Sequence, residues 1–140
     1  MSTIEERSMS ESTVSAKDIV EESKRRGYLA KQLYVVFTTP VNGTGPVMEN
    51  LVRHLEFQEQ LEREGIMFAA GPNFTDDEQN WDGEGMVVIR AASLVEAQAI
   101  AAKDPMHQSG ARNYRVRPWL VNEGRLSVEL DFASGRFRLR

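Results

Sequence analysis

The chain has 140 residues, no cysteine, two histidines and a formal net charge of -4. A chain of this length fits one domain around one core, and the lack of cysteine excludes disulfides, thiolate zinc sites, iron–sulfur clusters and cysteine nucleophiles. Residues 1–111 carry 10 basic and 18 acidic side chains and residues 112–140 carry 7 arginines and 3 acids, but the arginines lie on alternating positions among acids and the net acidity opposes a polyanion, so no nucleic-acid partner is expected.

Residues 1–14, rich in Ser, Thr and Glu, bury little and are expected to be disordered. They lack the basic-then-apolar order of a secretory signal, and no apolar run of membrane-spanning length follows, which predicts a cytoplasmic protein with no membrane partner. Ser15 to Gly27 reads as a helix, with Ser15 and Asp18 spaced as a capping box and Gly27 as its stop. The run LYVVFTT, Leu33 to Thr39, is β-branched and aromatic on both faces and predicts an inner strand. Pro46 suits the first turn of a helix reaching about Glu64, with Gly65 beyond it.

A second strand is expected at IMFAAGP, Ile66 to Pro72, and a third at MVVIR, Met86 to Arg90. The polar residues 73–84 between them form a long connection for a small domain, as a lid or binding loop would. Ser93 and Glu96 cap a helix through Ala102 with Leu94, Ala97, Ile100 and Ala101 facing inward, and RNYRVRPWLV closes the core as a fourth strand, placed at an edge or a bend by Pro118. The order βαββαβ predicts an α+β, ferredoxin-like fold over residues 32–122, with a helical extension at 15–31 and a tail at 123–140. Both helices on one sheet face leave the other uncovered, so a homodimer with facing sheets is expected. In the tail, Leu126, Val128, Leu130 and Phe132 alternate with polar residues, as do Phe137 and Leu139. They predict an amphipathic hairpin whose apolar face docks on this subunit or its partner.

Two histidines and two kinds of residue around them hold what chemistry the chain offers. Turning at roughly 100° per residue, a helix from Val47 places Leu51, Leu55 and Leu61 within roughly 80° of Val47 and His54 inside the same arc, one turn before Gln58. Such a histidine is either a hydrogen-bonded core residue or a general acid and base, for which imidazole is well suited. The stretch DPMHQSG, Asp104 to Gly110, spells a capped helical turn, with Asp104 as N-cap, Pro105 at its first position and Gly110 as a left-handed stop. His107 inside that turn is expected to be exposed and inert. Arg115, Arg117 and Trp119 share one strand face that suits either an anionic ring or a row of intersubunit ion pairs. NGTG before Pro46 lacks the Gly-Lys-Ser of a phosphate-binding loop, DDEQNWDGE fails the calcium-loop spacing, and there is no HExxH, so no metal or other cofactor is expected.

YVVF, HLEFQEQLEREGIMFAAGPN and KDPMHQSGARNYRVRPW together resemble the YciI family of the dimeric α+β barrel superfamily over roughly residues 32–122. The resemblance implies a ferredoxin-like dimer with a catalytic pair at His54 and Asp104. Substrate contacts are expected at Tyr34, Pro72, Met106 and Arg117. Among relatives it points to dehydrochlorination of a chlorinated hydroxyaromatic. Where many relatives carry a basic residue one turn before the histidine this chain has Leu51, and where they carry tyrosine after Asp-Pro it has Met106. The expectation is a cofactor-independent lyase or isomerase moving protons on a hydroxylated cyclic or aromatic small molecule, halogenated or not. The alternative is a ligand-binding or assembly module without turnover.

Overall fold

In the computed structural model, which describes residues 12–140, the chain divides into two compact units. One is Gln32–Leu120; the other joins the segment ending at Lys31 to Val121–Arg140. The disorder expected of residues 1–14 falls mostly on residues 1–11, which lie outside the described residues.

The central unit is built on a four-stranded sheet. Its strands are β1 (Lys31–Pro40), β2 (Met67–Pro72), β3 (Gly85–Ile89) and β4 (Arg112–Val121), in the spatial order β2-β3-β1-β4. Helix α2 (Thr44–Arg63) links β1 to β2, and α3 (Leu94–Ala102) with the single turn α4 (Pro105–Gln108) links β3 to β4. This is the ferredoxin-like topology, with β1 inside and the proline-bearing β4 at an edge. β3 runs antiparallel to both neighbours, pairing Tyr34 with Ile89 and Val36 with Val87 on one side and Ala70 with Val87 on the other. The amide of Val41 donates to the Ala111 carbonyl at 3.1 Å, bringing the end of β1 to the start of β4, as an antiparallel pair requires.

Side chains alternate across a strand, so Tyr34 and Val36, Val87 and Ile89, and Val116 share one face. They pack there with Ala97 and Ala101 of α3, both nearly inaccessible. Two small alanines let this helix lie close to the sheet. Ser93 caps it by accepting from the amide of Glu96 at 3.2 Å, and the Glu96 carboxylate reaches back to the Ala92 amide at 2.8 Å. α2 ends where expected: Gly65 takes a left-handed φ of 73°, its amide donates to Glu62, and the amide of Ile66 donates to Leu61. Ile66 is thereby spent on the helix stop, and β2 starts at Met67 rather than Ile66. A second cluster, Val47 with Met106 and Ala111, seats α4 beneath α2.

In the other unit, α1 (Ala16–Arg25) ends on Gly27 by the same backbone arrangement. Ser15 stands at its N-cap, but the expected side-chain cap is not formed. Asn122 fastens the stretch after α1, accepting from the Ala30 amide at 3.2 Å and donating to the Ser23 hydroxyl at 3.0 Å. β5 (Val128–Leu130) and β6 (Phe137–Leu139) form the predicted hairpin, pairing Val128 with Leu139 and Leu130 with Phe137. Arg138 bridges Glu129 and Asp131, and Arg140 supplies the second cation to Glu129. Its apolar side chains, Val128, Leu130, Phe132, Phe137 and Leu139, are all exposed in this chain.

Candidate functional site

Helix α2 turns His54 toward the sheet because the residue falls within the arc of Val47 and Leu61, and all three are buried. The backbone carries Asp104 to the same place from the far end of α3, as the N-cap of α4. There its Oδ1 accepts from the Met106 amide at 2.9 Å. His54 and Asp104 are each 5% exposed, and His54 Nδ1 lies 2.9 Å from both carboxylate oxygens. An ionised carboxylate only accepts, so Nδ1 carries the proton and donates it to Asp104. The lone pair is then on Nε2, where the Gln58 amide donates one turn along the helix. The carboxylate thus fixes the tautomer in which Nε2 is the acceptor.

Beside the pair lies a cavity of about 400 Å³, large enough for a single substituted ring. Leu51, Leu55, Phe74, Trp81 and Met86 give it apolar walls, Ala70 to Pro72 of β2 form its floor, and His54, Gln58 and Arg112 are its polar groups. The long loop of residues 73–84 supplies Phe74 and Trp81. That loop folds on itself: the Thr75 amide donates to Asn80, the Asn73 amide to Glu84, and the Trp81 indole to the Glu84 carbonyl at 2.7 Å.

Arg112, at the first position of β4, is 4% exposed. Its Nε donates to the Gly83 carbonyl at 2.8 Å, and its guanidinium lies 5.9 Å from the Trp81 ring centroid. Gly83 can present that carbonyl because it takes φ 99° with no side chain; a Cβ there would stand 2.7 Å from Pro40 Cγ. Burial lowers the Arg112 pKa, while the Asp104 carboxylate opposes the shift. The group stays charged, as guanidinium does in proteins.

The structure brings His54 and Asp104 together and places Pro72 on the cavity wall. Tyr34 sits in the sheet-helix core and Met106 is fully buried against Val47, and neither lines the cavity. Arg117, next to the core residue Val116, points to the opposite sheet face. There it borders a second cavity with Val35, Phe37, Met86, Pro118 and Trp119. Arg112, Trp81, Phe74 and Gln58 are among the cavity residues outside the predicted site set. Among the described residues no three His, Asp or Glu side chains gather as a metal site would require, and no helix is long and apolar enough to cross a membrane.

His107 departs from its expected exposure. Its Nδ1–H donates to the Ala101 carbonyl at 2.6 Å, the Thr38 hydroxyl lies 2.9 Å from Nε2, and the ring stacks on Tyr114 with centroids 4.1 Å apart. Desolvation lowers its pKa from the ordinary 6.5, with Arg112 and His54 adding to the shift and Ala101 and Asp104 opposing it. The unfolded chain takes up this proton near pH 6.5. Stability from the neutral ring is therefore complete above that pH and declines as pH falls through the lower folded value. Urea midpoints measured from pH 7.5 to 5 should drop further for the native chain than for His107→Gln; parallel drops would show that His107 does not sense pH.

A family model described as YCII-related domain matches residues 33–120. No curated protein matches the chain by sequence. Among solved structures, the chain is similar to the 5-chloro-2-hydroxyhydroquinone dehydrochlorinase TftG from Burkholderia phenoliruptrix AC1100, in complex with 2,5-dihydroxybenzoquinone. The two share 20% identity at a TM-score of 0.52, over 62% of this chain and 92% of that one.

Proposed function

This chain belongs to the YCII-related domain family, and from that premise we propose that it is a cofactor-independent lyase or isomerase acting on a hydroxylated aromatic or cyclic small molecule. The observation that carries this reading is the buried His54–Asp104 pair, whose histidine lines a ring-sized cavity. In the proposed chemistry the Gln58 amide turns aside and a substrate hydroxyl takes its place against His54 Nε2. Nε2 removes the hydroxyl proton, and the electron pair passes into the ring as an enolate. The imidazolium, stabilised by Asp104, returns the proton to a ring carbon. If that carbon bears chlorine, removal of a second hydroxyl proton expels chloride. One proton and one chloride leave together, and no external oxidant or reductant is consumed. TftG acts as a dehydrochlorinase on a chlorinated hydroxyhydroquinone, so chlorinated hydroquinones are the first compounds to try.

The test is chloride release from a panel of chlorinated hydroquinones, with thermal shift as the binding readout. A ligand at 100 times its dissociation constant should stabilise the chain by about 2.7 kcal/mol. Binding without turnover would identify a ligand-binding module, the reading favoured by the second role of Asp104 as a helix cap. Absence of both binding and chloride release across the panel would end the dehydrochlorinase reading.

The same reading includes a second copy of the chain. Phe37 and Met86 are cross-strand partners on the sheet face turned away from the helices; both are exposed there, as is Trp119 on β4. Such a face on a central sheet calls for a cover. Light scattering should give twice the 15.8 kDa chain mass, falling to one chain in Trp119→Glu. A single-chain mass at every concentration would remove the dimer from the proposal.

A further inference from the structure

We propose that Arg112 is an anion anchor, so that the molecule entering this cavity carries an ionised oxygen, a phenolate, enolate or carboxylate, at neutral pH. The inference rests on the reading of the cavity as a substrate site and adds the charge of its occupant.

Arginine offers five N–H donors in a planar fork. One of them, at Nε, is used on Gly83. Among the described residues no carboxylate lies within the 4.0 Å of an ion pair with this guanidinium, and no fully buried side-chain nitrogen is left without a partner. Arg112 lines the cavity, and its terminal amino groups are the donors it has left to offer there. A cation that is 4% exposed and lacks a paired anion is an unfavourable arrangement on its own. An anionic ligand oxygen would complete it, and two parallel N–H bonds to a carboxylate, or two converging ones to a single oxygen, suit the fork. The surroundings hold the group ready: the Gly83 carbonyl fixes one edge and the guanidinium carbon lies over the Trp81 ring. Trp81 is itself tied down through its indole N–H. The apolar walls of Leu51, Leu55 and Phe74 then suit the ring that carries the charge.

The bland role for Arg112 is to fasten the loop through Gly83 and nothing more. Two probes of one shape separate the roles: salicylate, which is anionic, and salicylamide, which is neutral. Native protein should bind salicylate about 10- to 100-fold more tightly, the range of a hydrogen bond to a charged group. That preference should vanish in Arg112→Gln and survive in part in Arg112→Lys. An unchanged ratio in Arg112→Gln, equal affinity of native protein for both probes, or binding of neither probe, overturns the proposal. If Arg112→Gln does not fold, native protein alone decides. Its affinity for 4-nitrophenol should climb as the phenol ionises with rising pH while that for 4-nitroanisole stays level, and a level nitrophenol profile has the same overturning force. His54→Gln should keep the salicylate preference, so loss of the acid–base reading and loss of this one give different results.

Discussion

His54→Gln should lower the turnover of a processed hydroquinone by about 10²- to 10⁴-fold, the span over which a positioned acid or base acts, while the chain still unfolds in one cooperative step. Glutamine can keep a hydrogen bond toward Asp104, so the carboxylate is not stranded, but its amide neither takes nor gives a proton near neutral pH. The loss should fall on kcat with KM little changed, because the imidazole changes charge only as the proton moves. A purely structural His54 predicts the reverse, a lower urea midpoint with undiminished kcat. Measuring both quantities on one preparation settles which role applies, and kcat within threefold of native would remove His54 from the chemistry.

What could be read in the chain, and what could not, follows from the range of the forces involved. His54 was legible because a 20-residue helix with apolar residues on one arc states which side meets the sheet. Asp104 was legible as a cap, since Asp-Pro before a single turn is a local signal. The contact between them spans 50 positions and came only through the family resemblance. Arg112 gave no signal, because its partner Gly83 is 29 residues away and its cation–aromatic neighbour Trp81 sits in an irregular loop. His107 departs from expectation for the same reason: a four-residue helix has no periodicity, and its partial burial comes from Thr38 on β1 and Tyr114 on β4. Tyr34 shares the helix-side face with the cavity residue Val87, yet packs with Val36 against α3 instead of on the cavity, and composition does not tell where along that face a residue falls. The hairpin was legible from alternation alone, yet alternation states which face is apolar and not what covers it. That face stands open in the single chain.

Asp104→Ala should be the most destabilising single change at the site, by about 2–4 kcal/mol. Two losses add up to this. The cap on the Met106 amide contributes on the order of 1 kcal/mol, and the Nδ1–H of a nearly inaccessible His54 loses its acceptor, a further 1–3 kcal/mol. Asp104→Asn separates shape from charge. Its amide oxygen can still accept from Met106 or from His54, so it should cost less than half as much stability. Turnover should nevertheless fall nearly as far as in Asp104→Ala, since a neutral amide neither stabilises an imidazolium nor enforces the Nδ1–H tautomer. Urea midpoints at constant m-value give the stabilities, and a cycle with His54→Gln gives the coupling. Residues in direct contact should couple by about 0.5–3 kcal/mol. Strict additivity would mean that Asp104 serves the helix turn and His54 serves the core, two neighbours without a joint task. Coupling in stability together with collapse of turnover in the isosteric Asn variant is the combination that a cap alone does not produce, because a cap needs an acceptor but no charge.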